Sequence, residues 1–226
     1  MEYLAGCEEN QFNLCIADPP YGIGEHGGKI RTNKNRPCYE LRKETPKYEN
    51  KYWDNETPSS EYWNEFFRVS KNQIVFGANY FTEYLTPSMG WIFWDKKFEN
   101  TVFSDGEFIY TSIHRGAKKF VKSSKAETKG GVERIHPTQK PIALYRWLLQ
   151  NYAKPGDTIL DTHGGSMSIA IACYIEGFDL VCIEKDKDYY DAAKKRFATY
   201  VANNPQMFSH EELRTESKQV DMFEKV

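Results

Sequence analysis

Near the start of the chain stands Asp18-Pro19-Pro20-Tyr21, directly after the apolar run Phe12–Ala17. A carboxylate, two prolines and an aromatic ring share one short turn. The prolines fix φ and hold nearby acceptors in place before a ligand arrives. Such a site suits gripping an exocyclic amine through Asp18 while a flat ring stacks on Tyr21, which is chemistry on a nucleobase. A site of this kind must sit on a rigid support, and the apolar run before it reads as a buried strand that ends where the chemistry begins.

A second constellation lies far along the chain. Lys154-Pro155-Gly156-Asp157-Thr158-Ile159-Leu160-Asp161-Thr162-His163-Gly164-Gly165-Ser166 reads as a turn, a strand, an acidic end and a glycine loop, with a helix over Ser168–Glu176 following. This is the first unit of a Rossmann-like fold, in which ligands lie off the carboxyl ends of the strands. The next strand, Leu180–Ile183, ends in Glu184, an acid placed to accept both hydroxyls of a ribose. The segment is neither G-x-x-x-x-G-K-[ST] nor G-x-G-x-x-G, which excludes a P-loop and disfavours a dinucleotide. A ribose acid without a phosphate cradle suits S-adenosylmethionine.

The elements that must position these residues alternate in type. Strands are expected at Phe12–Ala17, Gln73–Gly77, Trp91–Trp94, Glu107–Ser112, Thr158–Leu160 and Leu180–Ile183. Helices are expected from Thr57-Pro58 to about Val69, from Pro141, from Ser168 to Glu176 with Gly177 as C-cap, and from Asp188 as N-cap to about Tyr200. The alternation predicts an α/β fold with a mostly parallel sheet and helices on both faces. Two polar segments interrupt it, 22–55 and 113–135.

The chain has 226 residues with a net charge of −2, yet basic residues gather from Lys29 to Lys51 and from Arg115 to Lys140. Local basic segments in a near-neutral protein fit contact with a polyanion. Five scattered cysteines without a C-x-x-C pair argue against a disulfide framework or a zinc site. There is no run long enough to span a bilayer and no signal-peptide pattern, so a cytoplasmic protein without a membrane partner is expected.

Taken together, these segments resemble the β-class, D-P-P-Y DNA adenine-N6 methyltransferases of the phage type. Asp18–Gly24 resembles their catalytic motif, and 67–73 with 76–81 the segment after it. His136-Pro137-Thr138-Gln139-Lys140-Pro141 is similar to the box that opens their cofactor half, and 160–166 to their D-T-H-x-G-S-G-S motif. The resemblance covers most of the chain and implies a Rossmann-like S-adenosylmethionine-dependent methyltransferase fold with circularly permuted motif order, in one domain over 1–226. Two departures stand out: Met167 replaces a usual glycine, and no strand precedes the segment Glu2–Gln11, which predicts an exposed sheet edge.

The resemblance implies methyl transfer from S-adenosylmethionine to adenine N6 in double-stranded DNA. Asp18 and the Pro19 carbonyl would accept the two amine N–H bonds, Pro20 would stiffen the turn, and Tyr21 would stack on a base flipped out of the helix. Asp161, Thr162, His163, Gly165 and Ser166 would line the methionine end of the cofactor, with Glu184 on the ribose. Thr138, Gln139 and Lys140 would close the pocket, Lys140 near the cofactor carboxylate, and Asp18 would border it. His136 reads as a capping or packing residue. The segment 22–55 would close over DNA and 113–135 would recognise the target, and a homodimer is allowed by the same likeness. Methylation of cytosine N4 and a non-catalytic DNA-binding subunit are the alternatives. No metal is expected.

Overall fold

A computed structural model describes residues 1–24, 51–97, 104–123 and 134–205. Most of the segment 22–55, the middle of 113–135, and the tail from 206 lie outside the described residues.

Seven strands form one sheet in the order β5-β3-β4-β2-β1-β6-β7. They are β1 (Phe12–Ala17), β2 (Ser70–Phe76), β3 (Trp91–Asp95), β4 (Gly106–Thr111), β5 (Lys118–Val121), β6 (Thr158–Asp161) and β7 (Asp179–Cys182). Every neighbouring pair is parallel except the two that involve β4. Helices α1 (Glu2–Ala5), α2 (Ser60–Arg68), α3 (Ile142–Tyr152), α4 (Ser168–Glu176) and α5 (Lys187–Asn203) complete the described elements.

The helices cover both faces. Leu14, Ile16, Ile74 and Phe76 point into a core shared with α3 and α4, while Cys15, Ala17 and Val75 point into one shared with α1 and α2. Strands buried on both sides read as unbroken apolar runs, which is why β1 and the end of β2 are legible in the sequence. On β2, Ile74 through Phe76 are fully buried; on β1, four successive residues from Leu14 are nearly or fully so. The fold class expected from the sequence holds.

Several boundaries move. Helix α2 begins at Ser60 behind an N-cap at Ser59, so Pro58 stands before the helix and not at its first position. Helix α5 is capped by Asp186, whose carboxylate accepts from the Asp188 and Tyr189 amides; Asp188 lies inside the first turn. Strand β5 was hidden because Lys118 and Lys119 are exposed and only Phe120 is half-buried. Edge strands commonly carry such charges, which discourage pairing with other chains. At the other edge, β7 is outermost among the described residues.

Candidate active site

The carboxyl end of β1 delivers Asp18 into a buried cluster of charges. Asp18 Oδ2 accepts a hydrogen bond from Lys140 Nζ at 2.6 Å. The Tyr21 hydroxyl lies 2.7 Å from Asp18 Oδ1 and 2.8 Å from Glu107 Oε1, so one phenolic proton serves two carboxylates. Lys140 Nζ is 3.4 Å from Glu107 Oε1, and Lys96 Nζ is 2.8 Å from its Oε2. Two carboxylates and two ammoniums thus make a cluster with no net charge, as burial requires. Burial pushes the Glu107 carboxyl up, but Lys140 and Lys96 outweigh it and hold it at about 2. Burial opposes the Lys140 ammonium, and Asp18 with Glu107 reverse this and raise it. Burial raises Asp18, with Lys140 pulling the other way.

The Tyr21 ring is not a bare platform. It stacks on Tyr80 with centroids 5.0 Å apart and planes 12° from parallel, and meets Phe81 edge-on. Gly77, at φ +59°, backs onto it so closely that a Cβ there overlaps the ring. Tyr80 itself is exposed. The backbone after Pro20 is pinned by buried Asp54, whose Oδ1 accepts from the Tyr21 and Gly22 amides at 2.6 and 3.0 Å.

Parallel pairing sets the second constellation beside the first. Cys15 pairs with Leu160 across β1 and β6, and Asp161 with Cys182 across β6 and β7. Asp18, Asp161 and Glu184 therefore lie just at or beyond the carboxyl ends of three adjacent strands. Asp161 Oδ1 accepts the His163 amide at 2.8 Å, while its Oδ2 is buried with no partner. Burial lifts this carboxyl to about 8. Glu184 accepts the Gly165 and Asp186 amides, each at 2.7 Å.

Other expected residues shape the walls. Thr162 Oγ1 lies 2.7 Å from the Tyr62 hydroxyl and 2.9 Å from His163 Nδ1. His163 is lowered to about 4 by burial, and so is neutral at pH 7. Ser166 is buried, with its hydroxyl 3.1 Å from that of Ser168 and its carbonyl accepting from Arg196. Thr138 Oγ1 lies 3.1 Å from His136 Nδ1, and Gln139 Oε1 accepts the Ile135 amide. Both hold the turn that carries Lys140. His136 is packed between Trp53 and Tyr189 and lowered to about 3, mainly by burial. The Lys140 ammonium is directed to Asp18 and Glu107.

Glu107, Lys96, Asp54 and Tyr80 escape a sequence reading of the site. Glu107 is one acid near the start of a strand, and nothing local separates it from a solvated one. Tyr80 follows Gly77 in a segment that resembles the family, a signal for the neighbourhood but not for the ring contact.

Comparison with known proteins places these features in a family. Residues 33–195, more than half of the chain, match the family model N6_N4_Mtase, described as DNA methylase. The type II methyltransferase M.HpaI of Haemophilus parainfluenzae is 26% identical over 236 residues, spanning 85% of this chain and 70% of that protein. Among solved structures, the M1.HpyAVI–SAM complex aligns at TM-score 0.54 and 18% identity, covering 86% of this chain and 92% of that one. The cytosine-N4-specific PvuII DNA methyltransferase aligns at TM-score 0.54 and 14% identity, covering 94% and 86%. At these identities the structural likenesses speak for the fold.

Proposed function

Because the chain belongs to the DNA methylase family that joins N6 and N4 methylation, we propose that it methylates the N6 amine of adenine in double-stranded DNA, using S-adenosylmethionine. The observation that carries this is the pairing of β1 with β6, which sets the Asp18 cluster beside Asp161. One end is built to hold an amine and the other has an unanswered acceptor.

The residues fit the cofactor. Asp161 Oδ2 is a buried acceptor without a donor, matching the ammonium of an amino-acid end. Glu184 keeps lone pairs beyond the two backbone amides it accepts, which suits ribose hydroxyls. When bound, S-adenosylmethionine supplies a methyl group already activated on a sulfonium.

The protein's part is then to prepare the acceptor. An aromatic amine is a poor nucleophile because its lone pair is delocalised into the ring. Asp18 accepts one amine N–H and the Pro19 carbonyl the other, drawing the nitrogen toward a pyramidal geometry. As positive charge develops on the nitrogen, the Asp18 carboxylate stabilises it in a site that excludes water. Pro19 and Pro20 keep both acceptors in place, so little reorganisation is needed at the moment of reaction. The aromatic pair Tyr21 and Tyr80 offers the base a stacking surface. The basic segments within 22–55 and 113–135, which lie mostly outside the described residues, are the candidates for DNA contact, the second for target recognition. Adenine is preferred over cytosine because D-P-P-Y resembles the motif of adenine-acting members.

Methylation-sensitive sequencing of DNA from cells expressing the protein tests this directly. N6-methyladenine at one short site is expected, and Asp18→Ala removes it while cofactor affinity stays within about threefold. N4-methylcytosine without N6-methyladenine overturns the choice of base. No methylation, together with no calorimetric response to S-adenosylmethionine, supports a non-catalytic subunit instead.

A further inference from the structure

The Lys140 ammonium has three donors, and only the one to Asp18 is held at short range. Asp18 Oδ2 takes one at 2.6 Å, Glu107 Oε1 takes a second at 3.4 Å, and the Tyr21 hydroxyl is the nearest third partner at 3.5 Å. The last contact lies at the outer limit of a hydrogen bond. Two ring faces lie beside it, Phe76 at 5.2 Å and Tyr21 at 5.7 Å from the centroid. The charge is held beside Asp18 by Glu107 from β4, and Glu107 is held in turn by Lys96, the residue that follows β3. Asp18 and Lys140 thus present an acceptor and a donor side by side at the carboxyl end of β1.

We infer that Lys140 reads the target base, donating to the ring nitrogen next to the exocyclic amine that Asp18 accepts. Adenine shows an amine N–H beside the N1 acceptor, and cytosine shows an amine N–H beside the N3 acceptor. One acceptor–donor pair is complementary to both edges. Guanine and thymine show the reverse order, a carbonyl oxygen beside a ring N–H. They set an oxygen against the Asp18 carboxylate and an N–H against the Lys140 ammonium, so acceptor faces acceptor and donor faces donor. The pair therefore selects amine-bearing bases as a class. The inference rests on the methyl-transfer reading and adds to it the residue that orients the ring.

The test changes a single atom of the substrate. Methylation is measured on duplexes carrying adenine or 1-deazaadenine at the target position, in which C–H replaces N1. If cytosine proves to be the substrate, 3-deazacytosine takes the same role. Removing the ring nitrogen makes the amine lone pair more available, so any loss reports a lost contact and not lower intrinsic reactivity. The wild-type protein is expected to lose roughly 10- to 100-fold in kcat/KM on the analogue, the worth of a hydrogen bond from a charged donor. Lys140→Met is expected to be slow on both duplexes and to treat them alike within about threefold. A Lys140 that acted only as a structural charge could not produce this loss of discrimination. Equal rates of the wild type on the two duplexes overturn the inference without any variant, so it stays refutable even if Lys140→Met fails to fold. Discrimination retained by a folded Lys140→Met also overturns it, by assigning the donor elsewhere. Failure of the wild type to methylate either natural base is a different result and refutes the methyl-transfer reading itself.

Discussion

Asp161, the proposed partner of the cofactor ammonium, is a buried acceptor without a donor among the described residues, and such a group would couple ligand affinity to pH. Its carboxyl is raised to about 8 by burial, far above the unfolded value of ~3.9. A raised carboxyl binds its proton more tightly in the folded state, so its contribution to stability is full at low pH and is lost as pH climbs toward 8. An ammonium placed against Oδ2 reverses this by favouring the ionised form. Cofactor affinity is therefore expected to rise between pH 6 and 7.5 by up to about tenfold per pH unit, with nearly one proton released on binding at pH 7. Titration calorimetry in buffers of different ionisation enthalpy measures that proton. No release together with a flat affinity profile removes Asp161 from the ammonium. Glu184 demands a gentler probe than truncation, because its carboxylate also holds the Gly165 and Asp186 amides. Glu184→Ala is expected to weaken the cofactor by loosening the glycine loop as well as by losing ribose contacts.

At the scale of elements, the loop between β6 and α4 carries the departure from the family pattern. Met167 stands at φ +50° and ψ +37°, in the left-handed region, as the N-cap of α4. Its amide bonds to the Gly164 carbonyl at 2.6 Å, and its side chain is buried. The chain thus keeps a backbone that suits glycine while filling the space with methionine, and a non-glycine residue there carries a penalty of about 1 kcal/mol. Met167→Ala keeps that penalty and loses the packing, whereas Met167→Gly loses the packing and sheds the penalty. Met167→Gly is expected to melt roughly 2–4 °C above Met167→Ala. The reverse order in thermal melts contradicts the left-handed geometry. Gly164 has another role: a Cβ there lies 2.7 Å from Cys182 Sγ, so packing against β7 demands the glycine. The Asp18-Pro19-Pro20-Tyr21 turn is built on the same principle, since Gly77 leaves room for the Tyr21 ring and Asp54 ties down the amides that follow the prolines.

For the molecule as a whole, charge counted along the chain overstates what DNA can meet. Lys51, counted in the first basic segment, is bound to Asp186 at 2.8 Å and Asp188 at 2.6 Å. Lys140, counted in the second, is buried against Asp18. Arg115 donates to the Asn151 carbonyl, and Lys119 pairs with Asp95. Lys118 on the edge strand β5 is exposed. Neutralising a lysine that contacts phosphate lowers the salt dependence of binding by about one counterion. Lys118→Ala is expected to reduce the slope of log affinity against log salt by about 1, and Lys51→Ala to leave it unchanged. Fluorescence anisotropy on a short duplex checks both, and a lowered slope for Lys51→Ala returns that residue to the DNA surface.

Local chemistry was written in the chain itself. A turn of two prolines after an apolar strand, a glycine loop after Asp161, and an acid after the next strand each depend on neighbours a few residues away, so the α/β class and the residues of both halves of the candidate site could be picked out directly. The presence of β1 and of the end of β2 followed because strands buried on both faces read as apolar runs, whereas their order and register came only from the folded sheet. Which charges neutralise one another did not follow. Lys140 meets Asp18 across 122 positions and Tyr21 meets Glu107 across 86, and such contacts exist only after the sheet has ordered its strands. Before folding, every lysine and glutamate is equally solvated and carries no label. Burial separates them by making an unpaired charge costly, and so tertiary structure alone decided that Lys140 serves the carboxylate at the end of β1, that Glu107 completes the cluster, and that Tyr80 covers one face of Tyr21.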